Sequence, residues 1–527
     1  MPSSLSRAVT IVCAEVADPD IMETWLSKGW MPNLARLRQD GLWTRLASVS
    51  DISSGAIWPT FFTGMHPAEH GQFFTHMQLR PETYEIVKKY ADDVPCEPFW
   101  SVLQRSGRSC AIIDVPQTFP PQNFNGIHIT GWGGEYPAWP RSSSPVPLMT
   151  EIIRRFGRHP LADKYRVAIA PETRREYDLL ARDVLHGARM KAALSRWVFD
   201  QGPHDFFITV FSEPHWAMHL MWDLLDEDHP HRPKERHYRW ADPFRELFAI
   251  IDRTVGELRE ARPEADLLVF SLSGMGPNYS GWHLLSEVLT RIGMGPPAGP
   301  KGLGEKFSPM RRWGPHKTRA IERIVPPRVI ETAKMLVPTR FWDRWTRRIL
   351  HAGSGWPQSR AFCVPNDYSG AIRINLEGRE PQGRVKPGAE YRLLCEEISK
   401  VLLGLKHVET GRPVVREVIQ TQRAYAGTHL AALPDLLVLW TNESQISGVT
   451  SPRVGKIRQD FPERRTGAHR PCGFLAAAGP GIRGGVLPES VHLLDLAPTI
   501  LSLLEVPAPP RYKGRVMASL LDGKKTQ

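Results

Sequence analysis

Two histidines four residues apart, His215 and His219 in Glu213-Pro214-His215-Trp216-Ala217-Met218-His219, are answered far downstream by His469 in Gly467-Ala468-His469-Arg470-Pro471. Side chains at i and i+4 leave the same side of a helical turn. Neutral imidazole suits zinc, copper, iron or nickel, and three protein ligands with one open position is the usual form of a catalytic zinc site. In a chain with 19 histidines, an isolated pair of this kind reads equally as one core histidine beside a solvated one. The preceding Asp205–Phe211 run is apolar and reads as a buried strand. The pair therefore sits where a strand passes into a helix, the edge at which open α/β sheets place ligands.

Four other segments offer chemistry at strand ends. Glu15 follows the apolar run Ala8–Cys13, where a carboxylate can bind a cation or cap a helix. Ser54, in Asp51-Ile52-Ser53-Ser54-Gly55-Ala56-Ile57-Trp58, enters another apolar run. A serine there can cap the helix, or it can act as a nucleophile beside amides that stabilise anionic oxygens. Ser273 lies in the Gly-rich turn after the strand-like Leu267–Leu272, a good site-forming loop. Arg470, next to His469, can meet an anionic substrate or pair with a local carboxylate.

The elements that must position these residues alternate between strand-like runs and amphipathic helical stretches, which argues for a βα architecture around a largely parallel sheet. Candidate strands are 8–13, 110–114, 206–212, 266–271, 371–375, 435–440 and 474–479. Helical stretches include Asn33–Asp40, Arg174–Val198 and Glu390–Leu405. At 527 residues the chain is long for one core. The alternation breaks between about 283 and 358, so the expected division is a domain built from 1–282 and 359–527, interrupted by a helical insertion at 283–358.

That insertion carries the charge. From Lys301 to Arg348 there are 13 Lys or Arg against four acids, nearly the whole excess behind the net charge of +11. Such a block asks for an acidic partner when it is more than a solvated face. Phe341, Trp345 and Ile349 recur every four residues beside Arg340, Arg344 and Arg348. This describes a cap over the site, an anionic membrane surface helix, or a helix packed on the main domain. Aromatics are interleaved, but no nucleic-acid module is recognisable. No run approaches the roughly 18 apolar residues of a spanning helix. The amino terminus lacks a secretion signal, and six cysteines show no CxxC spacing. A cytoplasmic protein is expected, peripheral to the membrane if the basic block docks there.

Taken in order, these segments resemble the alkaline phosphatase superfamily, most closely its type I phosphodiesterase and nucleotide pyrophosphatase branch. The resemblance is carried by Pro32–Leu37, Trp58–Gly64 with Pro67 and His70-Gly71, Asn375–Val385, Pro434–Val438 and Gly467–Gly473. It implies an α/β fold with a mostly parallel central sheet, helices on both faces and an inserted cap-like segment. It also implies two metal ions, commonly zinc, flanking a Thr or Ser nucleophile, here Ser54. The first metal position would be His215, His219 and His469, with His in place of an Asp. The second would be Glu15 and Ser54, because Leu272 and Ser273 stand where two more ligands are usual. A cation held there by Glu15 and Ser54 alone would be weakly bound, since hard cations ask for about six oxygens.

The expected activity is metal-dependent hydrolysis of a phosphodiester or pyrophosphate bond in an anionic phosphorylated small molecule or lipid-linked substrate. Either Ser54 attacks phosphorus, or a metal-bound hydroxide does so at the three-histidine site. Arg470, Ser273 and Asn375 are the candidate substrate contacts. The alternatives are a lapsed family member that binds an anion or a partner, and a phosphotransferase.

Overall fold

The computed structural model describes residues 7–73, 77–80, 82–88, 96–121, 123–134, 141–161, 170–233, 242–296, 355–366, 369–461, 465–485, 487 and 491–521. The basic block 301–348, with its expected cap or membrane helix, lies outside the described residues. The chain divides into two compact units. The first draws on Met1–Gln72, Tyr90–Asn278 and Glu463–Gln527, the second on Phe73–Lys89 and Tyr279–Pro462. Residues 359–462, expected to share a domain with 1–282, thus fall in the second unit.

The first unit is organised by a nine-stranded sheet. Its strands are β1 (Val9–Ala14), β2 (Leu42–Ala47), β3 (Cys110–Ile113), β4 (Gly126–Thr130), β5 (Ser142–Ser144), β6 (Phe206–Phe211) and β7 (Asp266–Ser271). A two-stranded ribbon follows, β8 (Gly274–Pro277) with β9 (Gly467–Arg470), and the sheet is completed by β10 (Cys472–Ala478) and β11 (Val491–His492). The order across the sheet is β11-β2-β10-β7-β1-β6-β3-β4-β5. β1 lies between β6 and β7, parallel to both, and β3 and β4 continue the parallel run. β10 is antiparallel to its neighbours β2 and β7, and β5 is antiparallel to β4.

Strands covered on both faces read as unbroken apolar runs. β1, β6 and β7 are buried at every position. Alternate side chains serve opposite faces. On one face, Phe206 and Phe270 meet Phe99 and Phe61, the latter from helix α1 (Ile57–Thr63). On the other, Phe207 packs on Phe199 of helix α2 (Arg174–Phe199) within the main apolar cluster.

Direction decides where the site lies. β1, β2, β6 and β7 run parallel, so their carboxyl ends share one edge of the sheet, and they lead into Glu15, Ser54, His215 and Ser273 respectively. β10 runs the other way and presents its start at that same edge. That is why His469, just before β10, arrives there too.

Buried polar contacts fix this edge. Asp114, at the end of β3, accepts the amides of Trp132 and Gly133 at 2.9 and 2.8 Å and pairs with the buried Lys191 of α2. Helix α3 (Glu213–Met221) is buried along its whole length. Its first residue, Glu213, sits 2.8 Å from His159 Nε2, both side chains fully buried. Unpairing a buried charge costs about 3–5 kcal/mol, so these contacts resist displacement of the segments they tie.

In the second unit, Ala361–Val364, Gly370–Ile374, Leu436–Trp440 and Val415–Gln420 form an antiparallel four-stranded sheet. The expected strands 371–375 and 435–440 therefore belong to this sheet and not to the parallel one. The Asn375–Val385 stretch folds back on itself, with Arg379 paired to Glu380 and Asp435 and Arg373 paired to Glu380, all largely buried.

Gly473 marks the tightest point of the sheet. It opposes Leu46 of β2, and a Cβ there would run into the backbone carbonyl of Ser271. Backbone cannot yield as a side-chain end can, so Gly473→Ala is expected to cost about 1–3 kcal/mol. Thermal unfolding should show a midpoint several degrees lower; an unchanged midpoint would count against this packing.

Candidate functional site

Helix α3 starts directly after β6, with Pro214 in its first turn. Proline is tolerated there because its missing N–H has no partner to lose. One turn separates His215 from His219, 2 % and 1 % exposed, and both rings turn toward β9. The carboxyl end of α3 is stitched to the start of β9. The Thr466 amide donates to the His219 carbonyl at 2.9 Å, and His219 Nδ1–H donates to the Gly467 carbonyl at 2.8 Å. β9 is held in register by β8, with His469 opposite Met275.

The three Nε2 atoms converge. They are 2.8 Å apart for His215–His219, 3.2 Å for His215–His469 and 3.3 Å for His219–His469. Nitrogens bound tetrahedrally at about 2.0–2.1 Å around zinc are separated by about 3.3 Å, so the donor set fits such an ion. The hydrogen bond from His219 Nδ1–H leaves the Nε2 lone pair facing inward. His469 Nδ1 lies 3.0 Å from Ser273 Oγ, which orients that ring likewise. Burial holds His219 well below the usual imidazole range, reinforced by His215, His469 and the charge of Arg465. Burial, then His215 and Arg465, does the same for His469. Both rings are thus neutral at pH 7, the form that ligates. Among the described residues these three form the one group of His, Cys, Asp or Glu that converges in this way.

Beside them is a small pocket lined by Cys13, Glu15, Ser54, Trp58, Leu272 and Ser273 together with His215 and His469. The cap of the turn at Ser54–Ala56 is Ser53, whose Oγ accepts the Gly55 amide at 3.3 Å. The capping role that Ser54 could have filled is therefore taken by its neighbour, and Ser54 lines the pocket. Glu15 is 6 % exposed, and its Oε1 accepts Trp58 Nε1–H at 2.8 Å.

The structure thus brings together His215, His219, His469, Glu15, Ser54 and Ser273. Two other candidates take different positions. Neighbouring residues on a strand point to opposite faces, so with His469 turned to the pocket, Arg470 turns away. It packs over Gly276, its charge acts on Asp18, and it is not among the lining residues. Asn375 belongs to the second unit and is fully buried. Its Nδ2 donates to the Trp356 and Ser359 carbonyls at 3.1 and 2.8 Å, and its Oδ1 accepts from Tyr84 at 2.7 Å. These bonds occupy the amide in holding local loops.

Sequence reasoning missed Trp58, Cys13 and Arg465. A tryptophan in an apolar helix needs a partner for its N–H, which was a usable signal for Trp58. Nothing in the sequence marked Arg465, whose charge reaches the imidazoles from two residues before β9.

Residues 16–448 match the family model for type I phosphodiesterase / nucleotide pyrophosphatase. No curated protein sequence matches the chain. Among solved structures it is similar to human ectonucleotide pyrophosphatase / phosphodiesterase 5, with a TM-score of 0.47 and 12 % identity over 98 % of this chain and 100 % of that one. An inactive variant of the murine counterpart in complex with AMP gives 0.45 and 13 % over the same shares. Phosphonoacetate hydrolase from Sinorhizobium meliloti in complex with phosphonoformate gives 0.48 and 11 %, over 95 % of this chain and 96 % of that one.

The Ser273–His469 contact generates a test. If the three histidines hold a divalent ion, Ser273→Ala should weaken its binding by about 10–100-fold, the usual effect of removing a partner of a metal-bound histidine. Competition with a chromophoric chelator measures this; wild-type affinity would rule out an orienting role for Ser273.

Proposed function

The chain belongs to the type I phosphodiesterase / nucleotide pyrophosphatase family, and we propose that it hydrolyses phosphodiester or pyrophosphate bonds with a divalent ion, zinc, at His215, His219 and His469. The observation that carries this reading is the convergence of three imidazole nitrogens beside the pocket that Ser54 lines. An ion bound there supplies Lewis acidity to a phosphoryl oxygen.

The remaining steps are assigned to side chains. Ser54 Oγ attacks phosphorus in line, forming an Oγ–P bond while the bond from phosphorus to the leaving oxygen breaks. The hydroxyl proton passes to Glu15, a carboxylate lining the same pocket and held in place by the Trp58 indole. A serine at its ordinary pKa needs such an acceptor. Arg465, whose field already acts on His219 and His469, favours an anionic substrate at this edge. Glu15 passes that proton to the departing oxygen; water then attacks phosphorus, its proton returning to Ser54 Oγ through Glu15 as the Oγ–P bond breaks and the phosphate leaves. If an alcohol takes the place of water, the same residues perform phosphotransfer.

Two measurements test the reading on an aryl phosphodiester and a pyrophosphate. Chelation should abolish turnover and zinc should restore it. Ser54→Ala should lower kcat about a thousand-fold or more while the bound ion stays in place. Near-normal turnover by that variant would eliminate the covalent route. Absence of turnover by the zinc-loaded wild type would point instead to an anion-binding protein.

A further inference from the structure

We infer that the pocket takes one divalent ion and not two, because beyond the three histidines its lining offers too few ligand atoms for a second coordination sphere. The inference rests on the metal-dependent reading above, and it concerns only how many ions that site holds.

A second ion would need its own ligands: four for zinc, about six oxygens for magnesium or calcium. Beyond the three histidines the pocket offers Glu15, Ser54, Ser273 and Cys13 as polar side chains. Ser273 Oγ is engaged with His469 Nδ1 at 3.0 Å, so it supports the first ion's ligand. Glu15 Oε1 takes the Trp58 indole N–H at 2.8 Å, with the carboxylate 6 % exposed. A hydrogen bond to an ionised carboxylate is short and strong, and here it does for Glu15 what a cation would do: it stabilises a buried negative charge. Cys13 is a single fully buried thiol on β1, and even counted as a ligand it leaves the set short. Leu272, 3 % exposed, contributes an apolar wall to the same pocket. What remains besides that thiol is one carboxylate and one serine hydroxyl, short of a second coordination sphere.

Trp58 and Leu272 together therefore close the second position. The indole hydrogen bond stabilises the carboxylate without a cation, and Leu272 is an apolar wall of the same pocket.

The test is the number of ions retained by the full chain after loading with excess zinc and gel filtration, read by native mass spectrometry and elemental analysis. One zinc per chain is expected. Glu15→Gln should still retain one, because Glu15 is not holding an ion. His469→Ala should retain markedly less than one. Leu272→Asp combined with Ser273→His should raise the count toward two if that variant folds; the first two counts do not depend on it. Two ions in the unaltered chain, or a fall in the count with Glu15→Gln, would overturn the inference while leaving the metal-dependent reading intact. No retained ion would overturn both.

Discussion

Three imidazole lone pairs turned toward one point, with little water to screen them, repel one another unless something positive sits between them. That is the constraint on which the first unit depends. Nε2 separations of 2.8–3.3 Å require two rings from one helix and a third from a strand far away in sequence. Two of them are then locked from behind, His219 by the Gly467 carbonyl and His469 by Ser273. Burial holds His219 and His469 well below the usual imidazole range, which keeps both rings neutral.

The sheet meets this constraint through strand direction. Parallel β1, β6 and β7 deliver their carboxyl ends to one edge, and the reversed β10 delivers its amino end to the same place. Around that edge the fold tolerates buried charge: Glu213 with His159 at the start of α3, and Asp114 with Lys191 behind it. Such pairs contribute little net stability. Their effect is positional, since any shift of α3 would strand a carboxylate in an apolar setting.

The histidine spacing and the strand before it were legible because both depend on local periodicity. All seven expected strands exist, yet two of them pair in a separate antiparallel sheet, because pairing partners are set by contacts that no local pattern encodes. Side-chain parity misled the reading of Arg470: its neighbour His469 faces the pocket, so it cannot. Asn375 carries a polar amide that looks available in a sequence, and only the surrounding carbonyls reveal that it is used. Ser273 is the subtler case. Its place beside the pocket was legible, but its bond to the rear nitrogen of His469 joins residues 196 apart. The basic block remains the one strong sequence signal outside the described structure.

The slot filled by β10 has a consequence for synthesis. β2 and β7 are both complete by Ser271, but the strand that bridges them begins at Cys472, after the whole of the second unit's main segment. At about 5–20 residues per second a ribosome needs roughly 10–40 s to make that stretch. Throughout that interval the nascent first unit lacks both the strand between β2 and β7 and the third imidazole. Exposed strand edges invite wrong partners, so the unpaired edges of β2 and β7 are a point of vulnerability during translation. The histidine that completes the ion site arrives in the same few residues that close the sheet.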